Sequence, residues 1–465
     1  MKSYKYKFTV VVPIYKVEKY LAETLDSVIC QTIGFEENIE IILVNDGSPD
    51  NCDEICRGYC SKYPNNIRYL VKENGGLSSA RNFGIPCIQG KYVNFLDADD
   101  KWEENAFEKA YNFFEKNFDD IDFLASRVRF FDEKNNWHVL DYKYNNGTRV
   151  VDLTDPKEYN SVQVHVTSAF IKVDAIDSMR FNERVRFGED GLFSNALILS
   201  RMKYGLVADC VYYYRKRSDK TSLTQIQSAN REYYGDSPRL YYDGLVQESS
   251  NRFGCVIPYI QNVLAYDIGW RVRASVPDEI RNDRAFFASY LNYLNNILGC
   301  VEDEVYLRSR VHKRISVKCA FYKLKHPDKE LADITRFDLK KKSVYVGDVR
   351  LYNFNKTNHS ACIINDCVFS ERELYIEGLI SRWLLSSCSE SELAFVIKVN
   401  GNVYYPEITD CTSKTDITVF GKTYPYFTFK KEISVESLNA PDTLPEINLA
   451  LDVKGNICEI TAKRT

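Results

Sequence analysis

The sequence has no long hydrophobic stretch, no Cys-x-x-Cys pair, no internal repeat and little net charge. Across 465 residues no apolar run approaches the roughly 18 residues that a membrane span needs. A formal net charge of −4 provides no chain-wide basic field for nucleic acid, so we expect no nucleic-acid partner. We therefore expect a cytoplasmic protein whose association with the inner face of a membrane is at most peripheral.

The 14 cysteines are scattered along the chain. The closest group, Cys52, Cys56 and Cys60, recurs every four residues and so lines one face of a predicted helix. Cysteines in such a position are typical of small buried hydrophobic residues rather than metal ligands. This use of cysteine indicates a reducing compartment.

The first hundred residues alternate between buried-strand patterns and amphipathic-helix patterns. The predicted strands are 8–12, 39–44, 68–71 and 92–96. Continuous apolar strands separated by helices are typical of a mostly parallel, doubly wound α/β sheet. Helical spacing then dominates, and short alternating segments at the end of the chain indicate a β-sandwich. We predict an α/β domain over 1–230, a helical accessory region over 231–335 and a β-sandwich over 336–465.

In doubly wound sheets, ligands bind beyond the carboxyl ends of the strands. An acidic cluster follows the fourth predicted strand there, with Asp97, Asp99 and Asp100 within four residues. These carboxylates repel one another unless a cation lies among them, and Mg²⁺ or Mn²⁺ typically takes one or two carboxylates together with substrate phosphates. The alternative interpretation is a solvated turn or helix cap.

Two other predicted loops carry polar residues at the same edge. Asp46 ends the second strand and could accept hydrogen bonds from a nucleoside, or simply form an Asx turn. Gly75 and Gly76 precede a helix that contains Arg81. Glycines allow close approach to a ligand, a helix N-terminus favours anions, and arginine pairs with phosphate. The segment lacks the lysine of a P-loop and the spacing of a dinucleotide fingerprint.

Four segments now carry a family resemblance. They are Val-Val-Pro-Ile-Tyr, Val-Asn-Asp-Gly-Ser, Glu-Asn-Gly-Gly-Leu-Ser-Ser-Ala-Arg-Asn and Phe-Leu-Asp-Ala-Asp-Asp. In this order and spacing they resemble the inverting family-two glycosyltransferases of the GT-A fold, over roughly residues 6–230. The resemblance implies an enzyme that transfers a sugar from a nucleotide-diphosphate sugar, a UDP-sugar for preference, to a hydroxyl group.

The resemblance also implies roles for residues on these loops. Donor-binding roles fall on Pro13, Tyr15, Asp46, Asn74, Gly75, Ser79, Arg81 and Asp97. Asp97 and Asp99 would form the Asp-x-Asp pair that binds Mn²⁺ or Mg²⁺, with Asp99 the direct metal ligand, while Asp100 would only shape the turn.

An inverting transfer needs a base that deprotonates the acceptor hydroxyl. The segment Phe-Gly-Glu-Asp-Gly-Leu-Phe at 187–193 resembles the Glu-Asp segment of the family. This implies Asp190 as the base and Glu189 as a neighbour that binds acceptor or sugar. The alternative is an acidic helix start that is favourable to the helix dipole.

The segment 212–224 resembles the strand and loop that close over the nucleotide in this family. Arg215, Arg217 and Ser222 would contact phosphate, and the alternative is a solvated basic loop. The five histidines show no motif spacing, and we assign them no catalytic role.

The distal regions resemble the accessory regions of bacterial wall-teichoic-acid and capsule glycosyltransferases. The resemblance implies a glycan or polyol-phosphate acceptor, and a distal part that binds polymer or supports a homo-oligomer. Two other classes stay open at this point: a nucleotidyltransferase, and a non-catalytic glycan-binding protein with a GT-A-like fold.

Overall fold

A computed structural model gives the architecture of the chain. It describes residues 3–219, 226–329, 331–338, 340–341, 343–353, 362–370, 373–381, 393–420, 422–438, 445–453, 455–460 and 463–464. The chain divides into two compact units, Met1–Leu264 and Ala265–Thr465.

The first unit is built on one nine-stranded sheet. Its strands are β1 Tyr6–Ile14, β2 Ile39–Asn45, β3 Ile67–Val71, β4 Gly90–Phe95, β5 Lys101–Trp102, β6 Phe123–Asp132, β7 Arg149–Asp152, β8 Ala169–Lys172 and β9 Lys203–Lys216. The order is β3-β2-β1-β4-β8-β6-β9-β5, and β7 also pairs with β9. The strands β3, β2, β1 and β4 are parallel to one another, so their carboxyl ends share one edge.

Helices lie along the connections of this sheet. They are α1 Leu21–Ile29, α2 Phe35–Asn38, α3 Cys52–Lys62, α4 Leu77–Gly84, α5 Ala106–Lys116, α6 Glu189–Arg201, α7 Asp236–Phe253 and α8 Pro258–Arg273, within which the division of the chain falls. Phe8 of β1 lies at the centre of the core, with ring centroids 5.0 Å from Phe107 and 5.3 Å from Phe170. Cys52 and Cys56 are buried on one face of α3 as predicted, which leaves them inside the apolar core.

The predicted α/β class with a GT-A-like sheet is confirmed. The four strands predicted from sequence occur within two residues of their predicted bounds, because each contains a short run of mostly apolar residues. The far half of the sheet is mixed: β8 runs antiparallel to both β4 and β6, while β6 and β9 are parallel. No described helix is long and apolar enough to cross a membrane.

The second unit contains helices followed by β-sheets. The helices are α9 Asp278–Asn282, α10 Arg284–Leu298, α11 Asp303–Leu307 and α12 Ile315–Lys325. The strands are β10 Thr335–Asp338, β11 Ser343–Val346, β12 Val349–Asn353, β13 Cys362–Phe369, β14 Glu373–Ile380, β15 Leu393–Val399, β16 Asn402–Tyr404, β17 Glu407–Val419, β18 Lys422–Ser434, β19 Ile447–Val453, β20 Asn456–Ile460 and β21 Lys463–Arg464.

These strands form three sheets, which are antiparallel except for the short pairing of β13 with β21. Phe395 of the four-stranded sheet packs on Phe429 of the five-stranded sheet, with ring centroids 4.7 Å apart. The two larger sheets therefore share an aromatic contact between their faces, as in a sandwich. The domain bounds at 230 and 335 stay predictions; the one division that the structure shows falls between Leu264 and Ala265.

Candidate active site

The first two polar loops are joined at the carboxyl edge of the sheet. Ser48 accepts a hydrogen bond from the backbone of Lys16 at 2.7 Å, and its own N–H donates to Asn45 at 2.7 Å. Tyr15 follows β1 directly and is 44 % exposed, so its ring is open to a ligand. Pro13 lies inside β1 opposite Val44 and is buried.

Asp46 holds the glycine loop against β2. Its carboxylate is 3 % exposed and accepts hydrogen bonds from the backbone N–H groups of Gly75 at 2.9 Å and Gly76 at 2.8 Å. Lys72 forms an ion pair with the same carboxylate at 2.7 Å, and the side chain of Asn74 donates to the Asp46 carbonyl at 2.9 Å. The first role of Asp46 in the structure is therefore to shape the loop that begins α4.

The start of α4 leaves no room for a side chain at Gly75. A Cβ atom built there would lie 2.7 Å from the Ser79 hydroxyl. Gly76 has a φ of +88°, a left-handed conformation that favours glycine. Asn74 and Gly75 are exposed, so this tight turn presents its backbone at the surface.

The acidic loop after β4 contains three carboxylates in different surroundings. Asp97 and Asp99 keep 28 % and 15 % of their side chains exposed. Asp100 is buried; it accepts a hydrogen bond from the Tyr212 hydroxyl at 2.6 Å and from the backbone of Arg215 at 2.7 Å. Asp100 thus fixes the loop to β9, and burial together with the other two acids raises its pKa well above the usual range.

A buried arginine joins three acids from separate parts of the sequence. The guanidinium of Arg81 is 1 % exposed and lies 3.1 Å from Asp97, 3.3 Å from Glu189 and 2.5 Å from Asp190. Burial lowers the pKa of Arg81, but the three carboxylates outweigh burial and raise it, so the side chain stays charged. The structure therefore directs Arg81 at the acids themselves rather than into an open phosphate site.

One cation facing three carboxylates leaves an excess of negative charge. Burial, Asp190 and Asp99 raise the pKa of Asp97 to about 6, against the opposing effect of Arg81. Burial and Asp190 raise the pKa of Glu189 to about 8. These surroundings therefore favour the protonated form of Glu189.

Asp190 lies in the first turn of α6, where the helix dipole stabilises a carboxylate. The backbone N–H of Val166, just before β8, lies 3.5 Å from one carboxylate oxygen of Asp190. Tyr241 fills the space beside Gly188 and Gly191. A Cβ atom at Gly188 would lie 2.8 Å from the Tyr241 ring, and one at Gly191 would lie 2.5 Å from the Tyr241 hydroxyl. The conformation at the start of α6 therefore depends on Gly188 and Gly191 and on the packing of Tyr241 from α7.

The arginines at the end of β9 both contact the acidic loop. Arg217 pairs with the Asp99 carboxylate at 2.7 Å. Arg215 donates to the Asp99 carbonyl at 2.7 Å, pairs with Asp132 at 3.3 Å and forms an ion pair with Glu23. Arg215 is thus occupied in holding the loop, and Arg217 lies on the acid proposed to bind metal. Ser222 lies outside the described residues.

The predicted residues form three connected groups. The first joins Arg81, Asp97, Glu189 and Asp190, and the second joins Asp46, Asn74 and Gly75. The third joins Asp99, Arg215 and Arg217. Sequence reasoning missed Lys72, Glu23 and Tyr212. Lys72 directly follows a predicted strand, which is a usable signal, whereas nothing local marks a contact between Tyr212 and Asp100 across 112 positions.

The chemistry of the site fits a divalent cation held by few protein ligands. Within the described ranges no group of three His, Cys, Asp or Glu side chains is placed to hold a metal ion. Asp97 and Asp99 supply the one or two carboxylates that Mg²⁺ typically takes when substrate phosphates complete its coordination. Both acids currently pair with arginines, so a cation would have to compete with Arg217 for Asp99.

The parallel sheet with an acidic loop at its carboxyl edge defines a glycosyltransferase of the GT-A fold. The sequence profile of glycosyl transferase family 2 matches residues 9–179. The chain is 32% identical over 228 residues to glycosyltransferase GlyG of Streptococcus pneumoniae serotype 4 and covers 73% of that protein and 47% of its own length. The chain belongs to glycosyl transferase family 2.

Two further relatives are matched over only part of their own length. The chain is 38% identical over 309 residues to the minor teichoic acid biosynthesis protein GgaB of Bacillus subtilis (strain 168), which is 66% of the chain and 34% of GgaB. It is 35% identical over 264 residues to GgaA of the same organism, 56% of the chain and 58% of GgaA. The chain thus spans about a third of GgaB and less than two thirds of GgaA.

Solved structures support the fold. The crystal structure of S. aureus TarS matches 99% of this chain and 78% of TarS, with a TM-score of 0.53 and 16% identity. A shorter form of TarS in complex with UDP-GlcNAc matches 75% of this chain and 99% of that form, with a TM-score of 0.53 and 18% identity. At this identity the matches show a shared fold.

Proposed function

We propose that the enzyme moves a sugar from a UDP-sugar, with inversion, to a hydroxyl of a teichoic-acid-like or related bacterial surface polymer. The observation that carries the proposal is the contact of one buried guanidinium, Arg81, with both Asp97 and Asp190. Asp97 belongs to the loop proposed to face the donor diphosphate, and Asp190 is the proposed base. The contact holds both acids at one site.

In the proposed reaction Asp190 removes the proton of the acceptor hydroxyl. The hydroxyl oxygen attacks the anomeric carbon while the bond from that carbon to the β-phosphate oxygen breaks, so the electron pair leaves with the nucleoside diphosphate. Glu189 lies beside Asp190 and shares the Arg81 guanidinium with it. Attack opposite the leaving group inverts the anomeric configuration.

The leaving-group side needs positive charge. Asp97 and Asp99 would hold a Mn²⁺ or Mg²⁺ ion, which when bound neutralises charge that develops on the diphosphate. A metal ion bound to Asp99 would displace Arg217 from that carboxylate. The guanidinium of Arg217 could then contact phosphate at the same loop. Pro13 and Tyr15 would contact the nucleoside of the donor.

The donor class has separate support. The shorter form of TarS was crystallised in complex with UDP-GlcNAc, and both Bacillus relatives are named for teichoic acid biosynthesis. UDP-sugars are therefore the first donors to test, and glycerol- or ribitol-phosphate polymers the first acceptors. We also propose that the work of the chain divides among a catalytic part over 1–230, a helical part over 231–335 and a β-sandwich over 336–465 that binds polymer or supports a homo-oligomer.

The deciding experiment is a panel of nucleotide sugars with Mn²⁺ or Mg²⁺, read out by the phosphorus product. Release of nucleoside diphosphate supports glycosyl transfer. Release of pyrophosphate would instead indicate nucleotidyl transfer, and no turnover of any donor would indicate a binding protein. A polymer product whose new linkage keeps the donor's anomeric configuration would contradict inversion.

A further inference from the structure

Two histidines lie beside the proposed base. His165 immediately precedes Val166, whose backbone N–H is 3.5 Å from Asp190. Its ring lies edge-to-face on that of His138, with centroids 4.7 Å apart. The two imidazoles come from separate segments, one after β6 and one before β8, and both are partly exposed. The pair of rings is therefore attached to the segment that contacts Asp190.

The tautomer of His138 leaves it with an available donor. The backbone N–H of Leu140 donates to His138 Nδ1 at 3.3 Å, so in the neutral ring the proton is on Nε2. Among the described residues no acceptor pairs with Nε2, and it is not among the buried unpaired atoms. The same holds for both ring nitrogens of His165. These groups are open to solvent and can donate to a ligand.

Lysines add positive charge around the two rings. The Lys216 ammonium lies 4.9 Å from the ring centroid of Phe130, and Phe130 also contacts His138 with centroids 5.6 Å apart. Beneath them, buried Lys143 donates to the carbonyl of Val162 at 2.9 Å and to the side chain of Gln163. No described carboxylate forms an ion pair with either lysine or with either histidine.

Burial is the main cause of the lowered pKa of both imidazoles and lowers that of His165 to about 4. Lys143 and Lys216 lower both further, as secondary causes. Asp190 acts in the opposite direction on His165. An anion bound between the rings would supply the missing negative charge, whereas an uncharged sugar would leave it uncompensated.

We propose that His138, His165 and Lys216 form a binding subsite for a phosphate group of the acceptor. This inference rests on the proposed function, because it names the acceptor of that reaction as a phosphodiester-linked polyol. The two imidazoles donate hydrogen bonds and Lys216 supplies charge, while Lys143 contributes only its electrostatic field because its ammonium is occupied. A phosphate held here places a hydroxyl of the adjoining polyol near Asp190.

A phosphodiester fits better than a carboxylate polymer for two reasons. A phosphodiester has two unesterified oxygens and one permanent charge, which match several donors converging from different segments. The relatives GgaB and GgaA are also named for the biosynthesis of a teichoic acid. Carboxylate polymers are therefore the comparison in the test.

The test measures binding of a glycerol-phosphate oligomer to the full chain by calorimetry at low salt, without donor. We expect Lys216→Gln to weaken binding about tenfold, which corresponds to one charge-assisted hydrogen bond, and His165→Gln to weaken it by a smaller factor because the amide keeps a hydrogen-bond donor. The matched controls are Lys203→Gln, at the opposite end of β9, and His326→Gln, which pairs with Asp303. Both controls should stay within about twofold of the wild type.

Three results would overturn the subsite: binding unchanged in both variants, an equal loss in the controls, or a galacturonate oligomer that binds as tightly with the same dependence on His165 and Lys216. If His165→Gln does not fold, Lys216→Gln carries the test, because its ammonium lies on aromatic faces without a described ion pair. The experiment uses no nucleotide sugar. A failure of the proposed transfer reaction, seen in the donor panel, would therefore be distinguishable from a failure of the subsite.

Discussion

Arg217 and Asp99 form an ion pair, with 2.7 Å between the guanidinium Nε and a carboxylate oxygen. Burial lowers the pKa of Arg217, and Asp99 raises it by a larger amount, so the arginine is charged. Asp99 is also the carboxylate that we propose as the direct metal ligand. One acid therefore has two competing cations, and this competition can be measured.

Replacing Arg217 with Gln should tighten metal binding in the absence of donor. The metal no longer has to displace the guanidinium, and the loss of one charge-assisted contact corresponds to about five- to tenfold in affinity. Mn²⁺ titration followed by electron paramagnetic resonance measures the change. The control is Arg57→Gln, because Arg57 pairs with Asp53 at the surface. Equal Mn²⁺ affinity in wild type and Arg217→Gln would show that Asp99 does not bind the ion.

Replacing Asp190 with Asn should abolish most of the transfer while leaving donor binding intact. The amide keeps the shape of the side chain but cannot accept the acceptor proton, and general-base catalysis is worth about 10²- to 10⁴-fold. Transfer rates and UDP affinity, measured separately, check this. Glu189→Gln should have a smaller effect on kcat, because Glu189 is a neighbour of the proposed base and does not take the acceptor proton. If Asp190→Asn keeps the wild-type rate, Asp190 is not the base.

Replacing Arg81 with Met should destabilise the first unit strongly. The change leaves three partly buried acids without their shared cation, and removing one partner of a fully buried ion pair costs about 3 to 5 kcal/mol, which is an upper bound here. Urea unfolding of wild type, Arg81→Met, Asp190→Asn and the double variant gives the coupling energy between the two residues. We expect a smaller loss for Arg81→Met when Asp190 is already an amide. Simple additivity of the two losses would contradict the contact.

Lys143 should make stability depend on pH. Burial, and secondarily Arg149, lower the pKa of its ammonium from 10.5 to about 7. Between pH 7 and 10.5 the unfolded chain therefore binds one proton more than the folded chain, so this group makes the free energy of unfolding rise with pH in that window. Below pH 7 both states are protonated and the contribution is constant.

The comparison is wild type against Lys143→Met by urea unfolding at about pH 6.5, 7.5 and 8.5. The difference between the two proteins isolates Lys143 from cysteines and tyrosines that titrate in the same range. Relative to the variant, wild type should gain stability as pH rises, with a slope of at most about 1.4 kcal/mol per pH unit. A constant difference across the three pH values would contradict a lowered pKa for Lys143.

The sequence was sufficient for those parts of the fold that are encoded locally. The strand Ile39–Asn45 is buried along its whole length and has an apolar run at 41–44, so strand, burial and parallel pairing can all be inferred from a few neighbouring residues. The structure agrees with this inference. Polar residues at the strand ends predict a ligand-binding edge, which stays a prediction.

The pairing of side chains within the site could not be inferred in the same way. Arg81 and Asp190 are 109 positions apart, and Arg217 and Asp99 are 118 apart. From the sequence alone, Arg81 and Arg217 could each contact either the substrate or a carboxylate of the protein. Their actual partners depend on how β4, β9 and α6 pack together. The residues of the site can therefore be identified from the sequence, but their contacts can be identified only from the tertiary structure.

The start of α6 depends on residues that lie some distance beyond it in the chain. Tyr241 packs against Gly188 and Gly191, and Ser237 accepts hydrogen bonds from the backbone of Phe187 at 2.8 Å and of Arg186 at 3.0 Å. A recombinant fragment that stops at residue 230 would retain every proposed site residue and still lose both of these supports. A shortened enzyme for crystallisation or donor screening should therefore extend at least to Leu264, the last residue of the first unit.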